Sequence, residues 1–132
     1  MEEIKAKIII ELLGKPKEHI EETMNKVLDE LKERKNIEIL NEETSEAKEL
    51  EKFFSIFSEL EIKCVDISTL LGICFDFMPS SVEILDPDKL SFESKNMDNL
   101  LNDLLAKLHQ QSMVVRNLHA ENVLMKQKLG GK

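Results

Sequence analysis

The chain has few residues of the types that usually carry catalysis or metal binding. Its three histidines, His19, His109 and His119, stand far apart, and none has a second histidine or a cysteine four residues away. Zinc sites favour such spacing because it places two ligands on one helix face. Cys64 and Cys74 form no CxxC motif and lie in apolar surroundings, so we interpret them as free buried thiols, with a disulfide as the alternative. We therefore expect no catalytic centre, no metal site and no cofactor.

The composition indicates an acidic, non-membrane protein. The 132-residue chain has a formal net charge of −8, with 42% hydrophobic and 33% charged residues, which is typical of globular or partly coiled-coil proteins. This charge argues against nucleic acid as a partner, because nucleic-acid-binding domains usually carry a basic stripe. No apolar run approaches the roughly 18 residues of a membrane span, and the amino terminus lacks a signal-peptide pattern. We expect a cytoplasmic location.

The first half of the chain alternates between strand and helix patterns. Apolar residues at every second position predict a strand over residues 4–13. An apolar stripe at helical spacing predicts an amphipathic helix over residues 17–35. A strand that begins at Ile37 and becomes polar, followed by a strand over residues 52–65, predicts a hairpin that turns near Glu49. The alternative is that residues 43–54 form a helix.

The middle of the chain completes a known order of elements. Asp66 is a good N-cap for a helix over residues 67–77, which Pro79 ends. A short strand over residues 81–85 follows. The order βαββαβ predicts a ferredoxin-like α+β fold, in which two helices cover one face of an antiparallel sheet. We place this domain at residues 1–93 and a long helix at residues 94–132.

The turn Gly14-Lys15-Pro16 follows the first predicted strand. In element order, residues 4–85 resemble ACT and ACT-like regulatory domains, which are ferredoxin-like modules that often bind amino acids near a glycine in this place. The resemblance implies a possible ligand loop at Gly14 and Lys15. A plain turn that needs no ligand is the alternative.

The last third of the chain has the pattern of an oligomerising helix. Residues 97–129 contain no proline and no glycine, and apolar residues recur every seven positions on two seams. Such a helix is ~50 Å long, so it extends beyond a domain built from the other residues. We interpret Gly130 as its C-cap. The predicted oligomer interface consists of Leu101, Leu104, Leu108, Val115, Leu118, Asn122, Met125 and Leu129.

The second half of this helix favours a parallel dimer. The segment Leu118-His119-Ala120-Glu121-Asn122 resembles a leucine zipper, although no basic DNA-binding region precedes it. Asn122 falls at an a position, where asparagine pairs with its own copy in a parallel, in-register dimer. Glu121 would then face Lys126 of the second chain, which is an attractive pair. Met113, Ala120 and Leu124 form a second, weaker apolar line that another protein could contact.

These patterns say more about assembly than about a reaction. We expect a non-enzymatic interaction module, an adaptor or regulator, that self-associates as a homo-oligomer through its C-terminal helix. The alternatives are an ACT-like sensor of a small molecule and a nucleic-acid-associated regulator.

Overall fold

The computed structural model describes residues 3–130, which form five strands and three helices. The elements are β1 (Ile4–Gly14), α1 (Lys17–Glu33), β2 (Ile37–Thr44), β3 (Lys48–Glu49), β4 (Phe54–Cys64), α2 (Ile67–Phe77), β5 (Ser81–Asp86) and α3 (Ser94–Leu129). The chain divides into two compact units after Leu90, so α3 belongs to a different unit from the sheet.

The strands form one antiparallel sheet with the order β2-β4-β1-β5, and the two-residue strand β3 pairs with β4. β1 and β4 lie at the centre and pair along their full lengths, from Ile4 opposite Cys64 to Gly14 opposite Phe54. β2 and β5 form the two edges. Because β2 lies beside β4 and β5 lies beside β1, the strands have the order of a ferredoxin-like sheet, and the predicted ferredoxin-like α+β fold is confirmed.

One face of the sheet is buried beneath helices. Every second residue of β1 and β4 is apolar and points to this face, and α1 and α2 each contribute apolar residues at helical spacing. The buried side chains are Ile4, Ala6, Ile8, Ile10, Ile20, Met24, Leu28, Leu31, Ile56, Leu60, Ile62, Cys64, Leu70 and Ile73. Ser58 is the polar member of this core, and its hydroxyl hydrogen-bonds with that of Thr44. The predicted period-two pattern therefore does position the core.

The hairpin between β2 and β4 turns where the sequence predicts. β2 continues as strand to Thr44, β3 pairs Lys48 with Ser55, and the backbone N–H of Leu50 donates to the carbonyl of Phe53. The turn therefore lies just beyond Glu49. The alternative of a helix over residues 43–54 is wrong, because their backbone groups bond to β4.

Both helices of this unit end at well-defined caps. The Asp66 carboxylate accepts hydrogen bonds from the backbone N–H of Thr69 (2.8 Å) and from its hydroxyl (2.7 Å), as an N-cap should. Met78 takes a left-handed conformation at the C-cap of α2 and is exposed instead of joining the apolar stripe. α1 ends at Glu33, two residues before the predicted end, and Asn36 has a positive φ of 69°.

An ion pair joins the ends of α1 and α2. The Arg34 guanidinium lies 2.6 Å from the Asp76 carboxylate and 5.3 Å from the centroid of the Phe77 ring. Guanidinium groups stack on aromatic faces while they bond to carboxylates, so one side chain makes both contacts. Arg34 therefore links α1 to α2, the two helices that cover the sheet.

α3 is a continuous helix of 36 residues that runs from Ser94 to Leu129. The backbone N–H of Gly130 donates to the carbonyl of Lys126 (2.8 Å), which fits the predicted C-cap. Gly131 and Lys132 lie outside the described residues. Within residues 3–130, no helix is long and apolar enough to cross a membrane.

The Asp66 cap gives a direct test of this arrangement. Asp66→Ala should lower the free energy of unfolding by about 1 kcal/mol, because the N–H of Thr69 loses its partner at the start of α2. Chemical denaturation followed by circular dichroism measures this change. Asp66→Asn keeps a side-chain oxygen that can accept the same bond and should lose far less; equal losses in the two variants would contradict the role of the cap.

Candidate functional site

The predicted interface residues of α3 form an apolar strip that the chain leaves largely exposed. From Gln111 to Leu129 every residue is exposed. The exposed fractions of Val115, Leu118 and Met125 are 64%, 58% and 59%, although these side chains are strongly apolar. Asn122 is also exposed between them. Soluble proteins rarely leave so long an apolar strip uncovered, which makes this half of α3 a candidate contact surface.

The second apolar line on α3 is exposed as well. Met113 and Leu124 have exposed fractions of 62% and 58%, and Ala120 lies between them on the same line. Val114 and Val123 are also exposed. The apolar surface of the helix is therefore wider than one coiled-coil seam, which is narrow by nature.

The glycine of the proposed ligand loop has a packing role. Gly14 is the last residue of β1, and a Cβ atom added there would lie only 3.0 Å from Cγ2 of Ile20 in α1. Glycine is required where a helix approaches a strand so closely. Lys15 is exposed beside it. Ligand binding at Gly14 and Lys15 stays a prediction, since this contact explains the glycine without a ligand.

Cys64 and Cys74 are free thiols, as predicted. Burial, together with smaller contributions from the neighbouring Cys74 and Asp66, raises the pKa of Cys64 to about 11. Burial also raises the pKa of Cys74. Both thiols therefore stay protonated at neutral pH, where only thiolates act as nucleophiles or bind metals. They belong to the core and not to a reactive site.

The three histidines lie on exposed surfaces, one on α1 and two on α3. Within residues 3–130, no group of three or more histidine, cysteine, aspartate or glutamate side chains could hold a metal ion.

The face of the sheet opposite the core, which we call the open face, carries most of the charge of the strands. Its carboxylates are Glu11, Glu38, Glu43, Glu59, Glu61, Glu83 and Asp86, and its ammonium groups are Lys5, Lys7, Lys48 and Lys63. Lys7 is central: its Nζ lies 3.4 Å from Glu59 Oε1, and Glu61 and Glu83 are its cross-strand partners. Glu43 lies directly opposite Glu59, where like charges repel.

The sequence predicts part of this group. The alternation in β1 and β4 places Lys7, Glu59 and Glu61 on one face. The register of β2, which a bulge between Ile39 and Asn41 shifts, brings Glu43 beside them. No local pattern marks that bulge, so the acidic group is a feature that sequence reasoning missed.

Comparisons with known proteins identify one relationship. The model of the MJ0538 family matches residues 5–129, which include the sheet, α1, α2 and all of α3. No curated protein and no solved structure matches the chain.

The raised pKa of Cys64 predicts how stability responds to alkaline pH. The unfolded thiol ionises near its ordinary value of 9.0, whereas the folded thiol stays neutral up to about 11. The free energy of unfolding should therefore be unaffected by Cys64 below pH 8.5. It should fall by about 2 kcal/mol by pH 10.5, because in that window the Cys64 thiol ionises mainly in the unfolded state. Denaturation at a series of pH values measures the slope. Cys64→Ala should be less stable at every pH but have a shallower slope, and parallel slopes would contradict the assignment.

Proposed function

The chain belongs to the MJ0538 family, and we propose that it is a non-enzymatic interaction module that self-associates through α3 as a parallel homodimer. The single observation that carries this proposal is the exposed apolar strip from Gln111 to Leu129. Burial of apolar surface contributes ~25 cal/mol per Å², so a helix that exposes several large side chains gains stability when a second helix covers them.

The heptad pattern supports a second copy of α3 as the partner that packs against this apolar strip. Leu108, Val115, Asn122 and Leu129 recur at one seam, and Leu104, Gln111, Leu118 and Met125 recur at the other. A left-handed pair of helices keeps two such seams in contact along its length. One uninterrupted helix over the same span supplies the straight scaffold that this packing needs.

The polar seam residues favour the parallel orientation. Asn122 falls at an a position, where pairing with Asn122 of the second copy favours two parallel chains in register. In that register Glu121 faces Lys126 of the second chain, and both side chains are exposed and available. Gln111 and Asn122 weaken the seam, which is the usual cost of specifying one register.

The remaining features fit an adaptor in the cytoplasm. Two free thiols with raised pKa values suit a reducing compartment. The second apolar line lies outside a two-helix seam, so a further protein can bind there. It consists of Met113, Ala120 and Leu124.

Leu118→Glu tests self-association. A carboxylate at this seam position would be buried beside its copy, so the variant should sediment as a monomer at micromolar concentration while the parent sediments at twice the mass of one chain. Asn117→Glu is the matched control, because it adds the same charge at the preceding residue, which faces away from the seam. A monomeric parent, or a dimer unchanged by Leu118→Glu, would rule out the proposal.

Met125→Cys tests the orientation. In a parallel, in-register pair the two new thiols at this d position lie close together, and mild oxidation should give a covalent dimer on a non-reducing gel. In an antiparallel pair they would lie far apart. Asn117→Cys should cross-link much less, because position 117 faces away from the seam. Equal cross-linking of the two variants would contradict the parallel register.

A further inference from the structure

We propose that the open face of the sheet binds a cationic amphipathic helix of a partner protein. This goes beyond self-association, since it concerns strands β1 and β4 and does not depend on α3. The proposal rests on two neighbouring features of the face, a group of carboxylates that exceeds its local counter-charges and an exposed apolar patch.

The carboxylate group surrounds a single ammonium. Lys7 bonds to Glu59, and its cross-strand partners Glu61 and Glu83 place two more carboxylates at the same level of the sheet. Glu43 adds a fourth, opposite Glu59. Lys7 alone cannot neutralise four carboxylates, and the next ammonium groups, those of Lys63 and Lys5, face Glu3 and Asp86 respectively. This part of the face therefore attracts an additional cation. Lys7, Asn41, Glu43, Glu59 and Glu61 line a shallow depression there, which is open to solvent.

The apolar patch lies immediately beyond this group along the same two strands. Phe57 is paired with Glu11, so Ile9 and Leu13, two residues to either side, are its diagonal neighbours. The exposed fractions of Phe57 and Leu13 are 46% and 57%. Aromatic and aliphatic side chains exposed on a sheet face are typical anchors for a partner.

The spacing of the two features fits a helix. Phe57 is two residues from Glu59 and four from Glu61, which corresponds to about 7 Å and 13 Å along a strand. One or two turns of an α-helix span a similar length at 5.4 Å per turn. A helix that places leucines over Phe57 and Leu13 can therefore place a lysine or arginine over Glu59 and Glu61.

The negative charge of the open face disfavours the other possible occupants. Seven carboxylates and four ammonium groups leave it net negative, so a second copy of the same face would be repelled. Nucleic acid and anionic membranes would be repelled for the same reason. A cationic protein segment with an apolar side satisfies both features at once.

A designed peptide of about 18 residues, with leucines at helical spacing and lysines elsewhere, serves as the probe. It should bind the full chain saturably in isothermal titration calorimetry, more weakly as salt rises from ~0.01 M to ~0.15 M. The Glu59→Gln/Glu61→Gln double variant and Phe57→Thr should each weaken binding about tenfold or more. A peptide of the same composition in scrambled order should bind far less well.

Two matched variants distinguish this site from general attraction to an acidic protein. Glu22→Gln/Glu30→Gln removes the same charge from the exposed side of α1, and Val82→Thr replaces a methyl group of an exposed apolar side chain on β5 with a hydroxyl. Both should change the affinity by less than about twofold. Equal weakening by the control and test variants, or no saturable binding, would overturn the proposal.

A third measurement identifies the occupant. Sedimentation of the Glu59→Gln/Glu61→Gln variant without peptide should give the same mass as the parent. A lower mass would show that α3 of a second copy occupies the face, which would overturn the proposal of a partner protein and leave self-association intact.

Discussion

The pairing of β1 with β4 is the constraint on which the rest of this unit depends. Eleven residues of β1 face eleven of β4 without a bulge, from Ile4 opposite Cys64 to Gly14 opposite Phe54. Because side chains alternate along a strand, this unbroken register assigns most apolar residues of both strands to one face and leaves Ile9, Leu13 and Phe57 on the other. A shift by one residue would move Ile8 and Leu60 from the core to solvent. The helices α1 and α2 have a surface to cover only because this register holds.

The same register defines the open face. Once one side of β1 and β4 is committed to the core, Lys7, Glu59 and Glu61 must lie on the other side. Their charges stay hydrated there, so the acidic character of the face is a consequence of how the core is built. The exposed position of Phe57 is different, because this side chain interrupts a polar pattern and gains nothing from the core beneath it.

The sequence predicts the parts of the structure that local periodicity encodes. The period of two in β1 and β4, the helical stripe of α1 and the cap at Asp66 are each contained within a few residues, and each is confirmed. The hairpin turn also lies next to Glu49, as predicted, although residues 45–53 contain no glycine and no standard turn pair. β4 begins at Phe54, two residues after the predicted start. The bulge that brings Glu43 opposite Glu59 depends on a strand distant in sequence, so no local pattern could predict it. The heptad pattern of α3 can be recognised from local sequence in the same way as the apolar stripe of α1. Periodicity alone does not identify the surface that covers this seam.

The edges of the sheet explain why association should involve side-chain surfaces and not added strands. β2 is interrupted by the bulge after Ile39 and carries Glu38, Glu42 and Glu43, all of which discourage pairing with another chain. β5 has only six residues and lies between Pro79 and Pro87, neither of which can donate a backbone hydrogen bond. With both edges protected, the surfaces that remain for recognition are the apolar strip of α3 and the open face. The two proposed surfaces differ in chemistry, since one is mainly apolar and the other is acidic with an apolar patch.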